Sequence, residues 1–137
     1  MQVQNITSTN FGMAYNIKKS PEILNYFNKL PAAEGTKLSS EMKEASEALR
    51  NSRFVNVNAY IGGDGKLCHN IAERHPILVN NGVGYEDMLR TPKSKSLPEI
   101  VKEAVDKEAV LNREDVARNM QAEVLKNIAG TAGVSGV

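Results

Sequence analysis

At 137 residues and a formal net charge of +1, the chain is long enough for one domain with its own core and too nearly neutral to present a broad field to nucleic acid or an anionic membrane. An apolar content of 41% and a charged content of 24% are those of a globular protein, and with no Trp and 5% aromatics the core must be mostly aliphatic. One cysteine excludes an intrachain disulfide framework, which fits a reducing, cytoplasmic location.

The amino terminus, MQVQNITSTN, has neither the basic nor the apolar region of a secretory signal, and no apolar run approaches the ~18 residues of a membrane span. Without a secretory route the Asn5-Ile6-Thr7 sequon is a chance match. Residues 1–10 are expected to form a flexible leader, 11–129 a single domain and 130–137 a flexible tail of small residues.

From Phe11 to Lys18 apolar and polar residues alternate, with Phe11, Met13, Tyr15 and Ile17 on one side, as in a strand with one face buried. Ser20, Pro21 and Glu22 then supply an N-cap, a proline at the first helical position and an acid at the positive end of the helix dipole. This helix carries Ile23, Leu24, Phe27 and Leu30 on its apolar stripe and stops before Pro31. After a loop over Ala32 to Gly35, a second helix is expected from about Thr36 to Asn51, with Leu38, Met42, Ala45 and Leu49 on a narrow stripe that places it on the surface.

Arg53 to Arg74 read as a β-hairpin. Val55, Val57, Ala59 and Ile61 share one face of the first arm, and Leu67, His69 and Ile71 share one face of the second. The turn decides the register, because a slip of one residue moves an arm's apolar set to the other side. A three-residue loop of Gly63, Asp64 and Gly65, with Gly65 left-handed in a G1 bulge, sets Leu67 and Ile71 beside Ile61 and Val57 and alone gives a coherent apolar face. The opposite face then bears Phe54, Asn56, Asn58, Tyr60, Lys66, Cys68, Asn70 and Arg74.

Beyond the hairpin, Pro76 to Val79 fit a short third strand, Asn80 to Gly84 a loop, and Gly84 to Arg90 a helical turn; Thr91 to Ser96 form a polar hinge. From Ser96 to Ala129 the pattern is helical. Its two apolar stripes, Leu97 to Val105 and Val116 to Ile128, are out of phase across Asn112, and Asn112 with Asp115 has the spacing of a capping box, so a break is expected near Leu111. Glu103 with Lys107 and Glu114 with Arg118 have the spacing of ion pairs on a solvated helix.

The expected fold is α+β: an antiparallel sheet of three to four strands centred on the 53–74 hairpin, with helices packed mainly on one face and a long or broken C-terminal helix. An alternative is a small sheet joined to a helical hairpin that mediates dimerisation.

Catalytic patterns fare poorly. Cys68 with His69 or His75 is the one nucleophile-and-base combination, but strand neighbours point to opposite faces and no residue stands out to orient a base. No paired Cys or His motif has metal-ligand spacing, and the glycine loops at Gly62 to Gly65 and Asn81 to Gly84 match neither phosphate fingerprint, so no metal or cofactor is assigned.

Two non-catalytic surfaces remain. Phe54, Asn56, Asn58, Tyr60, Asn70 and Arg74 form a candidate binding face for protein or, alternatively, for single-stranded nucleic acid, with the rings stacking on bases. Met120, Val124 and Ile128 form a candidate oligomer interface if the second helical stripe serves another subunit. The leading expectation is a small non-enzymatic protein-interaction module, self-associating if that second surface serves another subunit; a cysteine-dependent enzyme ranks third.

Overall fold

The structure, a computed structural model, describes residues 14–18, 20–74, 76, 88–92 and 96–132. Strand β1 (Tyr15–Ile17) leads into helices α1 (Pro21–Lys29) and α2 (Ala32–Ala48). The hairpin strands β2 (Val55–Ile61) and β3 (Leu67–Glu73) follow, then β4 (Met88–Arg90) and the long helix α3 (Leu97–Ala132). The four strands lie in chain order in one sheet, and the architecture is α+β. No helix among the described residues is long and apolar enough to cross a membrane.

The hairpin has the expected register, with Ile61 opposite Leu67 and Val57 opposite Ile71. Gly62 accepts from the Gly65 N–H at 3.0 Å and donates to the Lys66 carbonyl at 2.9 Å, which closes a three-residue loop. Gly65 sits at φ 79°, in the left-handed region that costs a β-carbon roughly 1–2 kcal/mol. Gly65→Ala is therefore expected to lower stability by about 1 kcal/mol, read as a shift of the urea midpoint at unchanged slope.

Pairing departs from the all-antiparallel expectation at β1, which runs parallel to β2 with Tyr15 opposite Val57. The two intervening helices supply the crossover that a parallel pair needs. Tyr15 and Ile17 join the core as the alternation requires; Ala14, on the opposite side of that alternation, is buried as well because it precedes the strand, while Phe11 and Met13 lie outside the described residues.

Met88–Arg90 extends the sheet beyond β3 and replaces the end of the expected helical turn, while Ile77 to Val79 of the expected third strand lie outside the described residues. Of the former segment only Pro76 is described, and it is buried. Arg90 also reaches the Glu73 carboxylate on the neighbouring strand.

Helix α1 starts as read, with Ser20 Oγ accepting from the Ile23 N–H at 3.3 Å. Ile23 is its buried residue, whereas Leu24 is exposed. Helix α2 begins earlier than expected, because the Gly35 N–H already bonds the Pro31 carbonyl at 2.9 Å and Ala32, Ala33 and Glu34 are good helix formers. Ala45 and Leu49 bury its stripe against the core, with Met42 at the edge.

Helix α3 is one continuous helix of 36 residues. Ser96 Oγ accepts from the Glu99 N–H at 3.3 Å and donates to the Glu99 carboxylate at 2.7 Å, so the residues that cap a helix start sit at its beginning rather than at Asn112. Leu97, Ile100 and Ala104 press on Phe54, Val55, Val57, Ala59 and Ile71 to make the core. Past Asp115 no described residue of the helix is buried.

Candidate functional site

Three constellations are built on this frame: the hairpin face turned away from the core, a carboxylate cluster under the start of β2, and the distal half of α3.

The hairpin face carries a row of amides. Asn16 Nδ2 donates to Asn58 Oδ1 at 3.2 Å, and Asn58 Nδ2 donates to Asn70 Oδ1 at 3.0 Å, so the row crosses β1, β2 and β3. Parallel pairing of β1 brings Asn16 level with Asn58 and adds it to the set read from the sequence. Asn56, Asn58, Tyr60 and Asn70 are half-buried. Their amides are spent partly on each other, which holds the three strands in register.

Phe54 does not belong to this face. It precedes the first residue of β2, is 0% exposed, and sits in the core with the Arg53 guanidinium 4.6 Å from its ring centroid. Strand parity therefore does not govern it, and its ring is closed to a ligand. Arg74 turns to the backbone: its Nη2 donates to the Arg53 carbonyl at 2.6 Å and its N–H to the Phe54 carbonyl at 2.7 Å, while its buried Nε has no hydrogen-bond partner.

Cys68 stands opposite Tyr60 and His69 opposite Ala59, on different faces, so the thiol and imidazole do not meet. His75 lies outside the described residues. His69 is buried on the core side, 2.9 Å through Nε2 from the Tyr15 hydroxyl, with the two rings stacked at 5.7 Å between centroids. Burial pushes the imidazole down to about 4 and the phenol above its ordinary range, so both stay neutral at pH 7.

The carboxylate cluster gave no signal in the sequence. Glu108, on α3, is 8% exposed and accepts from the backbone N–H groups of Arg53, Phe54 and Val55 at 2.9, 2.9 and 3.1 Å. Asn112 Nδ2 adds a fourth N–H at 3.0 Å. The Ser52 hydroxyl lies 2.9 Å from Glu108 Oε1 and 2.6 Å from the Val55 carbonyl, with one proton for the two acceptors.

Two turns on from Glu108, Asp115 is 3% exposed and meets Arg53 Nη1 at 3.4 Å. A crevice of 190 Å³ opens beside Glu108 between α2 and α3. The carboxylate flooring it is already saturated by donors from the chain itself, so this cluster fastens α3 to the start of β2 and has no free acceptor to offer a ligand.

On the distal half of α3, Val116, Met120, Val124, Leu125 and Ile128 are 56%, 63%, 54%, 67% and 54% exposed. They follow helical spacing on the side away from the sheet, because Glu108 and Asp115 turn the opposite side inward. The sequence singled out Met120, Val124 and Ile128; Val116 and Leu125 widen the patch.

The expected pairs of Glu103 with Lys107 and Glu114 with Arg118 are replaced. Lys107 reaches Glu73 at 3.2 Å, Lys102 pairs with Asp106 at 3.6 Å, and a buried Nη1 of Arg118 has no hydrogen-bond partner. Compared with family models, with curated proteins and with solved structures, the chain gives no significant match.

Proposed function

We propose that the protein is an interaction module that self-associates through the distal half of α3. The observation that carries this is the run of five large apolar side chains from Val116 to Ile128, each more than half exposed, on a helix that continues past its own core. Monomeric proteins rarely leave so contiguous an apolar surface in water.

A second copy of the chain suits this surface because its charges balance. From Arg113 to Ala132 the helix has Arg113, Arg118 and Lys126 against Glu114, Asp115 and Glu123, so like meets like without net repulsion. An amphipathic stripe laid against its own copy buries both at once. The nucleic-acid reading loses support with Phe54, one of the two rings on which it depended.

Covering a half-exposed Val, Leu, Ile or Met returns about 1 kcal/mol, and ten such residues across two copies stand against an association cost of about 4–15 kcal/mol. The expected affinity is therefore in the range of tens of micromolar or weaker, and measurements must reach several hundred micromolar. Size-exclusion chromatography with light scattering is expected to show mass rising with concentration in that range. Met120→Glu with Val124→Glu is expected to weaken association at least tenfold while leaving the thermal midpoint of dilute protein within a few degrees. A mass that stays monomeric throughout, or a rise that the double substitution leaves intact, contradicts the proposal.

A further inference from the structure

The distal half of α3 also carries the orientation of its partner, an inference that rests on the self-association proposed above. We propose that two copies pair their α3 helices antiparallel, about a twofold axis level with position 122.

The spacing of the patch fits that axis. Val116, Met120, Val124 and Ile128 recur every four residues, and reversal about 122 sets Val116 against Ile128 and Met120 against Val124 of the other copy. These layers are then apolar on both sides. Reversal about 122 lays positions 112–132 of one copy alongside the same positions of the other. The exposed apolar residues of α3 lie in this part, and the charged outer face bearing Glu99, Lys102 and Asp106 stays outside the seam.

Parallel pairing matches the apolar residues equally well, so charge decides. Asp106, Arg113, Met120 and Val124 fall along one face of the helix at close to heptad spacing. In a parallel pair that face meets its own copy in register, which sets Arg113 against Arg113 and Asp106 against Asp106. In the antiparallel pair Arg113 stands instead level with position 131 of the partner helix, an uncharged residue, so the like-charge contact is avoided.

Spin labels placed singly at Lys102→Cys and Lys126→Cys, both in Cys68→Ser protein, read the orientation by double electron–electron resonance at several hundred micromolar. Lys102 is well exposed and Lys126 lies on the exposed part of the helix, so neither label disturbs the core. At a rise of 1.5 Å per residue, antiparallel pairing about position 122 predicts labels separated along the helix axis by about 60 Å at 102 and about 12 Å at 126, before the lateral offset is added. A parallel pair gives short distances at both sites. The long-and-short pattern supports the antiparallel arrangement. Short distances at both sites, or any other pair of distances, overturn the orientation and leave self-association standing, whereas no dipolar signal at either site overturns self-association itself.

Discussion

Glu108→Ala is expected to cost roughly 4 kcal/mol of stability, the largest loss of any single substitution considered. The carboxylate satisfies the N–H groups of Arg53, Phe54 and Val55, and Phe54 and Val55 are both 0% exposed. Alanine leaves those donors without a partner and without room for bulk water, at about 1–3 kcal/mol for each fully buried one. It also frees Asn112 and unfastens α3 from the start of β2. Against the 5–15 kcal/mol that holds a typical domain together, such a loss brings the protein close to unfolding.

Glu108→Gln keeps one acceptor oxygen but turns an amide N–H₂ toward other donors, so its loss is expected to be smaller, about 2–3 kcal/mol. It remains measurable even where the alanine variant does not fold. Urea unfolding with far-ultraviolet circular dichroism gives both values. An alanine variant within 1 kcal/mol of wild type would show that this cluster is not what joins the helix to the sheet.

The second large effect is a loss of stability in acid traced to His69. Burial holds its folded pKa at about 4, below the ordinary 6.5, so the folded state resists a proton that the unfolded state accepts. Between pH 6.5 and 4 the unfolded chain binds more protons at this site, and stability falls as pH falls through that window. Below 4 both states are protonated and the loss is complete, at about 3 kcal/mol for the full shift.

Carboxylates titrate in the same region, so the informative quantity is the difference between wild type and His69→Gln. Glutamine can still hydrogen-bond the Tyr15 hydroxyl but does not titrate. The wild type is expected to lose about 3 kcal/mol more than the variant between pH 7 and pH 4. Equal slopes would mean that the imidazole is protonated in the folded protein without penalty.

What the sequence disclosed and what it hid divide along a physical line. Gly65 and the alternation on both sides of it determine a register locally, and that register is the one observed. Ser20 with Pro21 likewise marks a helix start from its own chemistry. The direction of β1 depends on how two helices carry the chain back, which no residue of β1 encodes. Asn112 and Asp115 have the spacing of a cap, yet their side chains reach Glu108 and Arg53, and the helix runs through them unbroken.

Glu108 was illegible for a similar reason. Its partners are backbone N–H groups of residues 53–55, and backbone donors have no letter in a sequence. Phe54 was misplaced because alternation was extended one residue beyond the strand it describes. The distal apolar stripe was readable from periodicity alone; its exposure on a continuous helix required the fold.

Amide hydrogen exchange over positions 116–129, followed from about 10 µM to about 500 µM protein, tests the central claim most directly, because a stretch of helix with no buried residue among those described opens locally at little cost unless a second copy covers it. The self-association proposed for α3 predicts fast exchange there in dilute solution and protection that grows with concentration, while the amides of β2 and β3 stay unchanged. Exchange over 116–129 that is independent of concentration would contradict it.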